Sequence, residues 1–201
     1  MPANIRLFII FAKTLTLKVD DQIILGIDPG SNIMGYGLIH IEKKQMRLIK
    51  MGVLKLNSKD TQLLRMKQIF DFTLELIETH LPDVMAIESP FFGKNVQSML
   101  KLGRAQGTAI AAALFKNIPV FEYSPKKIKQ SITGKGAASK EQLSAMLYRL
   151  LEINEQSPYL DATDALGIAV CHYYQSNSIV QSCKYNGWES FLAKNADRII
   201  K

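Results

Sequence analysis

Cysteine is nearly missing from this chain: Cys171 and Cys183 are its only two in 201 residues. Two are too few for a disulfide framework and do not make a zinc site, and a reducing cytoplasmic compartment is expected. Long apolar runs are missing as well. Leu7–Ala12 is far shorter than the roughly 20 residues that a spanning helix needs, and Lys13 interrupts it. No small-residue cleavage pattern follows, so neither a membrane anchor nor a signal peptide is expected. Acids are in deficit, 18 against 25 Lys and Arg, which leaves a net charge of +7 and a pI near 9.3. Such a balance favours a polyanionic partner, nucleic acid or an anionic membrane surface, without choosing between them. Hydrophobic content of 47% and charged content of 21% are those of a globular chain with one well-filled core.

The stretch Ile23–Ile41 organises the rest. Ile23–Ile27 is a short run rich in branched residues, as a buried strand should be. It ends on Asp28, and Pro29-Gly30 then marks a tight turn. A second apolar run, Tyr36–Ile41, completes a β-hairpin with a Gly-rich connection. Arg47–Leu56 supplies a third strand, so the opening of the chain reads as an antiparallel meander. Val84–Ile87 is a further short strand, and it too ends on an acid, Glu88, followed by Ser89-Pro90. Taken singly, Asp28 can be a turn cap and Glu88 a surface carboxylate. Together they are two core strands that each end on an acid, and in α/β sheets strand ends are where ligand sites form.

Between these strands Thr61–His80 carries apolar residues at near-helical spacing until Leu81-Pro82-Asp83 stops it. Asn95–Asn117 predicts a long helix whose small residues suit close packing, and Pro119–Tyr123 predicts a fifth strand. Ser131–Ala138, with Gly134-Lys135-Gly136, predicts a mobile loop; Ser139 then opens a helix running to about Glu152. Tyr159–Val170 predicts a strongly apolar helix with Asp161 and Asp164 in its first turn, on one face. That pair can serve the helix dipole alone, or it can bring charge close to the core. His172, two turns on, reads as a packed or capping histidine.

Phe91-Phe92-Gly93-Lys94 follows Glu88 in a loop, where an aromatic can plug the core or stack on a base. From Ser89 to Lys140 the sole acid is Glu122, against Lys94, Lys101, Arg104, Lys116, Lys126, Lys127, Lys129, Lys135 and Lys140. Such one-sided charge can be a solvated face; flanked by acidic strand ends, it suits a surface that tracks phosphates.

If Asp28, Glu88, Asp161 and Asp164 converge, each pair of unit charges near 4 Å repels by about 4 kcal/mol at an effective dielectric of ~20. A cluster of that kind raises its own pKa values or binds cations, and all-oxygen ligation favours Mg²⁺ or Mn²⁺. Two such ions would clamp the attacking and leaving oxygens of a phosphoryl displacement. The reading at that point is metal-dependent phosphodiester hydrolysis.

Gly26-Ile-Asp-Pro-Gly-Ser with Gly35-Tyr-Gly, Ala86-Ile-Glu88, Phe121-Glu-Tyr, Ile128-Lys-Gln and Asp161-Ala-Thr-Asp-Ala-Leu-Gly-Ile-Ala occur in that order. As a set they resemble the RuvC family of bacterial Holliday-junction resolvases from about Ile23 to Tyr174. The resemblance implies an α/β, RNase H-like fold: a mixed five-stranded sheet, its first three strands antiparallel, flanked by helices. It implies a homodimer that makes paired symmetric nicks across a four-way DNA junction in recombination and repair, and a branch-migration helicase complex as partner. It implies catalytic, metal-binding roles for Asp28, Glu88, Asp161 and Asp164 with two Mg²⁺ ions, Mn²⁺ substituting. Phe91 matches the family's junction wedge, with Lys94 near the same crossover, and Lys129 and Lys140 match basic residues near the scissile phosphate. Lys101 and Arg104 join these as expected DNA contacts. Ser89-Pro90 departs from the family pattern. The expected division is an extension over residues 1–22, a nuclease domain over 23–175 and a tail over 176–201 in which Trp188, Phe191 and Leu192 could dock back.

Two rivals share this fold: RuvC-like nucleases of ribosomal RNA precursors, and an inert DNA-binding module. The first leaves Phe91 and the Lys126–Lys140 run unexplained; the second predicts no activity to lose when the acids are removed. Sugar-kinase and actin-like ATPases have a phosphate loop resembling Gly26–Ser31, but they need two such domains.

Overall fold

A computed structural model describes residues 21–90, 95–154 and 157–182. Phe91, Lys94, Trp188, Phe191 and Leu192, and all but the last two positions of the expected extension, lie outside the described residues.

Strands β1 (Asp21–Asp28), β2 (Ile33–Glu42) and β3 (Gln45–Lys55) form the expected antiparallel meander. The β2–β3 turn is a two-residue connection in which Lys43 and Lys44 both have positive φ, 50° and 69°. This is the backbone that two-residue hairpins require, here without the usual Asn-Gly. Strand β4 (Val84–Glu88) runs parallel to β1, and β5 (Val120–Tyr123) parallel to β4, giving one five-stranded sheet of order β3-β2-β1-β4-β5. The central strands are covered on both faces, which is why their sequences read as unbroken apolar runs rather than alternating ones.

Helix α1 (Gln62–His80) starts at the Thr61 cap, whose side chain accepts from Leu64 N–H. It ends at Leu81 in a left-handed conformation before Pro82. Helix α2 (Val96–Phe115) is capped by Asn95 and buries Ala105, Gln106, Ala109, Ala112 and Ala113. These two helices cover the face of the sheet that presents Leu25, Ile27, Met34, Leu38, Met85 and Ile87. The opposite face presents Ile24, Ile39, Ile41, Val84 and Ala86. It is covered by α3 (Pro125–Thr133), α4 (Lys140–Leu150) and α5 (Leu160–Ser182). Side chains alternate across a strand, so Asp28 shares a face with Ile24 and Gly26, and Glu88 with Val84 and Ala86. Both acids belong to the α5 side.

Helix α3 corrects the sequence reading. The expected loop over Ser131–Ala138 begins only at Gly134, whose φ of 74° ends the helix. Ser124 caps this helix, Pro125 occupies its first turn, and Ile128 and Ile132 are buried one turn apart. Helix α4 opens with a reciprocal Ser139–Gln142 capping box and ends at Leu150. Helix α5 runs on to Ser182, seven residues into the segment expected as tail.

Candidate active site

Glycine decides how the site is assembled. A Cβ on Gly35 would fall 2.0 Å from the Asp161 carbonyl oxygen, one on Gly26 2.1 Å from that of Ala165, and one on Gly37 2.7 Å from Leu166 Cα. All three lie on the α5 face of β1 and β2, so the helix backbone rests directly on the sheet. Gly35 is also the cross-strand partner of Asp28. The contact that seats the first turn of α5 therefore sets Asp161 and Asp164 beside the end of β1. Strand β4 reaches the same edge, with Ile27 paired to Ile87, and so delivers Glu88.

The four predicted acids come together. Ligand oxygens of Asp28, Asp161 and Asp164 lie within 4.8 Å of one another, and Asp28 is hydrogen-bonded to Glu88. Burial, then the charges of Glu88 and Asp164, push the Asp28 pKa up to about 8, against the opposing charge of Lys140. Burial also raises Glu88, while the hydrogen bond with Asp28 works to lower it. The Asp28–Glu88 pair thus holds a proton between its two carboxyl groups. Lys140 forms an ion pair with Asp164. Burial works against its charge, but that hydrogen bond and the charges of Asp164, Asp28 and Asp161 hold its pKa above the usual lysine value.

Glu88, Asp164, Lys129 and Lys140 line one cleft of about 310 Å³, walled by Ile128, Leu143 and Ile168. Two predicted basic residues are therefore in the site with the acids. Lys101 and Arg104 are not; they lie on the exposed side of α2.

Sequence reasoning missed the residues that hold this geometry from behind. Arg65 donates from Nη1 to the Ser31 carbonyl at 3.2 Å and to Asn32 Oδ1 at 3.0 Å, and from Nη2 to the Ser58 carbonyl at 2.7 Å. It pins the connection that leaves Asp28. Gln106 reaches the Glu88 backbone. The Tyr123 hydroxyl bonds His172 Nδ1 at 2.8 Å, and burial lowers the His172 pKa to about 4, so the imidazole is neutral and packed, as expected. A polar residue in an otherwise apolar helical register, such as Gln106 among alanines, was the one available signal.

Carboxylate oxygens alone, half-buried and mutually repelling, fit a hard divalent cation such as Mg²⁺ or Mn²⁺ better than zinc or copper. No helix among the described residues is long and apolar enough to cross a membrane.

A family model described as "Crossover junction endodeoxyribonuclease RuvC" matches residues 24–172. The chain is 56% identical over 182 residues to the protein of that name from Cytophaga hutchinsonii, covering 90% of each. Among solved structures, that of RuvC from Thermus thermophilus superposes with a TM-score of 0.72 at 30% identity, covering 78% of this chain and 96% of that one. The same protein in complex with a Holliday junction substrate gives 0.71 at 27% identity, with the same coverage.

Proposed function

The chain belongs to the RuvC family of crossover junction endodeoxyribonucleases, and from that membership we propose how its site works. It is an endonuclease that resolves four-way DNA junctions by phosphodiester hydrolysis in recombination and repair, and it uses divalent metal. The observation that carries the detail is the convergence of three carboxylates within 4.8 Å, with Glu88 bonded to one of them.

Asp28, Glu88, Asp161 and Asp164 would hold two Mg²⁺ ions, with Mn²⁺ as substitute. Such ions, when bound, supply Lewis-acid polarisation of the scissile phosphate and an activated water. The chain's own residues do the rest. The Asp28–Glu88 pair gives up its proton when the cluster is neutralised by cations, and Asp164 then no longer needs Lys140 as counter-charge. Lys140, freed from that pair, and Lys129 across the cleft face the phosphate oxygens and offset the charge that develops on them. The apolar wall of Ile128, Leu143 and Ile168 limits water around these charges and so strengthens their interactions.

Outside the cleft, Lys101 and Arg104 on α2 carry the arms of the junction, with Phe91 and Lys94 at its crossover. The protein acts as a homodimer, so that two sites nick symmetric strands, and it works in the cytoplasm with a branch-migration helicase complex. Support for the dimer comes from α2: Val96, Leu100 and Leu114 are 65%, 54% and 57% exposed. They line up with Gly103 and Gly107, beside which there is open space, opposite the buried alanines. The expected division of residues 1–22, 23–175 and 176–201 stays part of this proposal.

The deciding experiment is incubation of synthetic four-way and linear duplex DNA with Mg²⁺ and with chelator. Paired nicking of the four-way substrate alone, only with Mg²⁺, is the expected result; equal cutting of both substrates would overturn the junction assignment. Junction affinity is also expected to fall steeply with salt, because the Lys and Arg contacts release counterions.

A further inference from the structure

Gln106 lies on the buried face of α2, 5% exposed. Its Nε2 donates to the main-chain oxygen of Glu88 at 3.2 Å and to Glu122 Oε2 at 3.1 Å. A side-chain amide nitrogen has two hydrogens and the amide oxygen none, so two acceptors on one side fix which way the group faces. The acceptor in β4 is a particular one. Glu88 is one residue past the last β1–β4 pair, Ile27 with Ile87. Beyond it, Ser89 N–H donates to the Tyr123 carbonyl on the β5 side. Where the sheet runs out on the β1 side, a helix side chain takes over the peptide that carries a cluster carboxylate.

We infer that Gln106 is a positioning residue for the hydrolytic reaction: its amide fixes the end of β4, and through it the aim of the Glu88 carboxylate at Asp28. Glu122 Oε2, the second acceptor of the same Nε2, holds the amide in that orientation. The tie has a second consequence. Lys101 and Arg104 belong to the same helix, so DNA drawn onto the exposed side of α2 bears on Glu88 through this amide as well as through the alanines of α2 that share a core cluster with β4. The inference rests on Glu88 being a metal ligand, as proposed above.

The test compares Gln106→Met, close in volume but without donors, with the wild-type chain. Mn²⁺ affinity of the DNA-free protein is read by paramagnetic resonance, alongside single-turnover cleavage, junction binding in chelator and melting temperature. Expected is a loss in Mn²⁺ affinity of about tenfold, the size usual for residues that orient a metal ligand. The matching rise in the Mg²⁺ concentration for half-maximal cleavage should come with unchanged junction affinity, and saturating Mn²⁺ should restore most of the rate. Unchanged Mn²⁺ affinity overturns the proposal, and so does a loss of rate that only follows a loss of melting temperature. Should Gln106→Met fail to fold, Glu122→Ala removes an exposed partner and reads a smaller loss of Mn²⁺ affinity; no loss there overturns the proposal equally. Glu88→Gln in the same assay separates the two ideas. Wild-type cleavage by Glu88→Gln defeats the metal-ligand reading, whereas its inactivity with a silent Gln106→Met defeats only the tie.

Discussion

At the scale of single residues, Asp28 carries the most consequence, because burial and its acidic neighbours lift its pKa to about 8. A carboxyl raised in this way is protonated in the folded state at pH values where the unfolded chain has lost the proton. Its contribution to stability is therefore complete below the unfolded value of 3.8 and is lost as pH rises toward 8. Asp28→Asn removes that penalty. At about pH 8 the DNA- and metal-free variant should be more stable than wild type, on the order of 1–4 kcal/mol, and at about pH 4 the difference should vanish in denaturant titrations. The same substitution should keep junction binding and reduce Mg²⁺-dependent cleavage by more than the ~10–100-fold usual for residues behind a metal ligand. Cation binding must also displace the proton. Apparent Mn²⁺ affinity should rise about tenfold per pH unit below pH 8 for the one proton displaced and level off above it, with proton release visible by calorimetry in buffers of different ionisation enthalpy. These acids were legible in the sequence because each sits where an apolar element begins or ends. Gln106 and Arg65 were not, because they act on backbone 18 and 34 residues away, and beyond the polar Gln106 among buried alanines nothing local marks such a contact.

At the scale of elements, the site depends on a helix lying against a glycine floor. Gly35→Ala would drive a methyl group into the Asp161 carbonyl, 2.0 Å from where a Cβ must go, and backbone has little room to yield. The expected cost is about 1–3 kcal/mol, with cleavage lost beyond what stability explains because the first turn of α5 moves with it. Gly167→Ala is the matched control on the same helix. Its new methyl would meet Ile132, Leu143 and Leu147 at 3.4–3.5 Å, ordinary contact. A mid-helix glycine costs roughly 0.5–1 kcal/mol relative to alanine, so this variant should gain stability by about that much; paired denaturant midpoints check both signs. Among the described residues, the meander, the two parallel strands and four of the five helices were readable from apolar periodicity and caps. Helix α3 was not: Lys126, Lys127 and Lys129 read only as part of a one-sided basic face, and the loop was expected from Ser131 on. Its actual signals were the Ser124-Pro125 start, the Ile128–Ile132 spacing and Gly134 at the end. The glycines were visible as a motif, but their reason lies in a helix more than a hundred residues further along the chain.

At the scale of the whole molecule, a four-way junction needs two cuts, and a two-fold dimer offers two equivalent sites in fixed relation. An isologous interface has to be self-complementary. In the proposed homodimer the exposed stripe of Val96, Leu100, Gly103, Gly107 and Leu114 on α2 would meet that condition, because small residues would let two copies of one helix approach closely while the flanking apolar side chains interlock. Gly107 has nothing within 4 Å of a would-be Cβ, so Gly107→Glu meets no obstacle within one subunit. Glutamate is also a better helix former than glycine by several tenths of a kcal/mol or more. Any loss should be felt only between subunits, where it would set two like charges facing each other across the axis of the proposed dimer in a desolvated contact. The expected outcome is a folded monomer whose melting temperature at low concentration is no lower than that of the wild type, and a dimer dissociation constant at least about tenfold weaker, some 1.4 kcal/mol, by sedimentation equilibrium. Because the acids of each site come from one chain, Mn²⁺ affinity should be untouched while paired nicking gives way to single, uncoupled nicks. A variant that still sediments as a dimer would move the interface off this face. A dimer lost without any loss of paired nicking would show that the two cuts need no fixed relation, and the symmetry reading would fall with it.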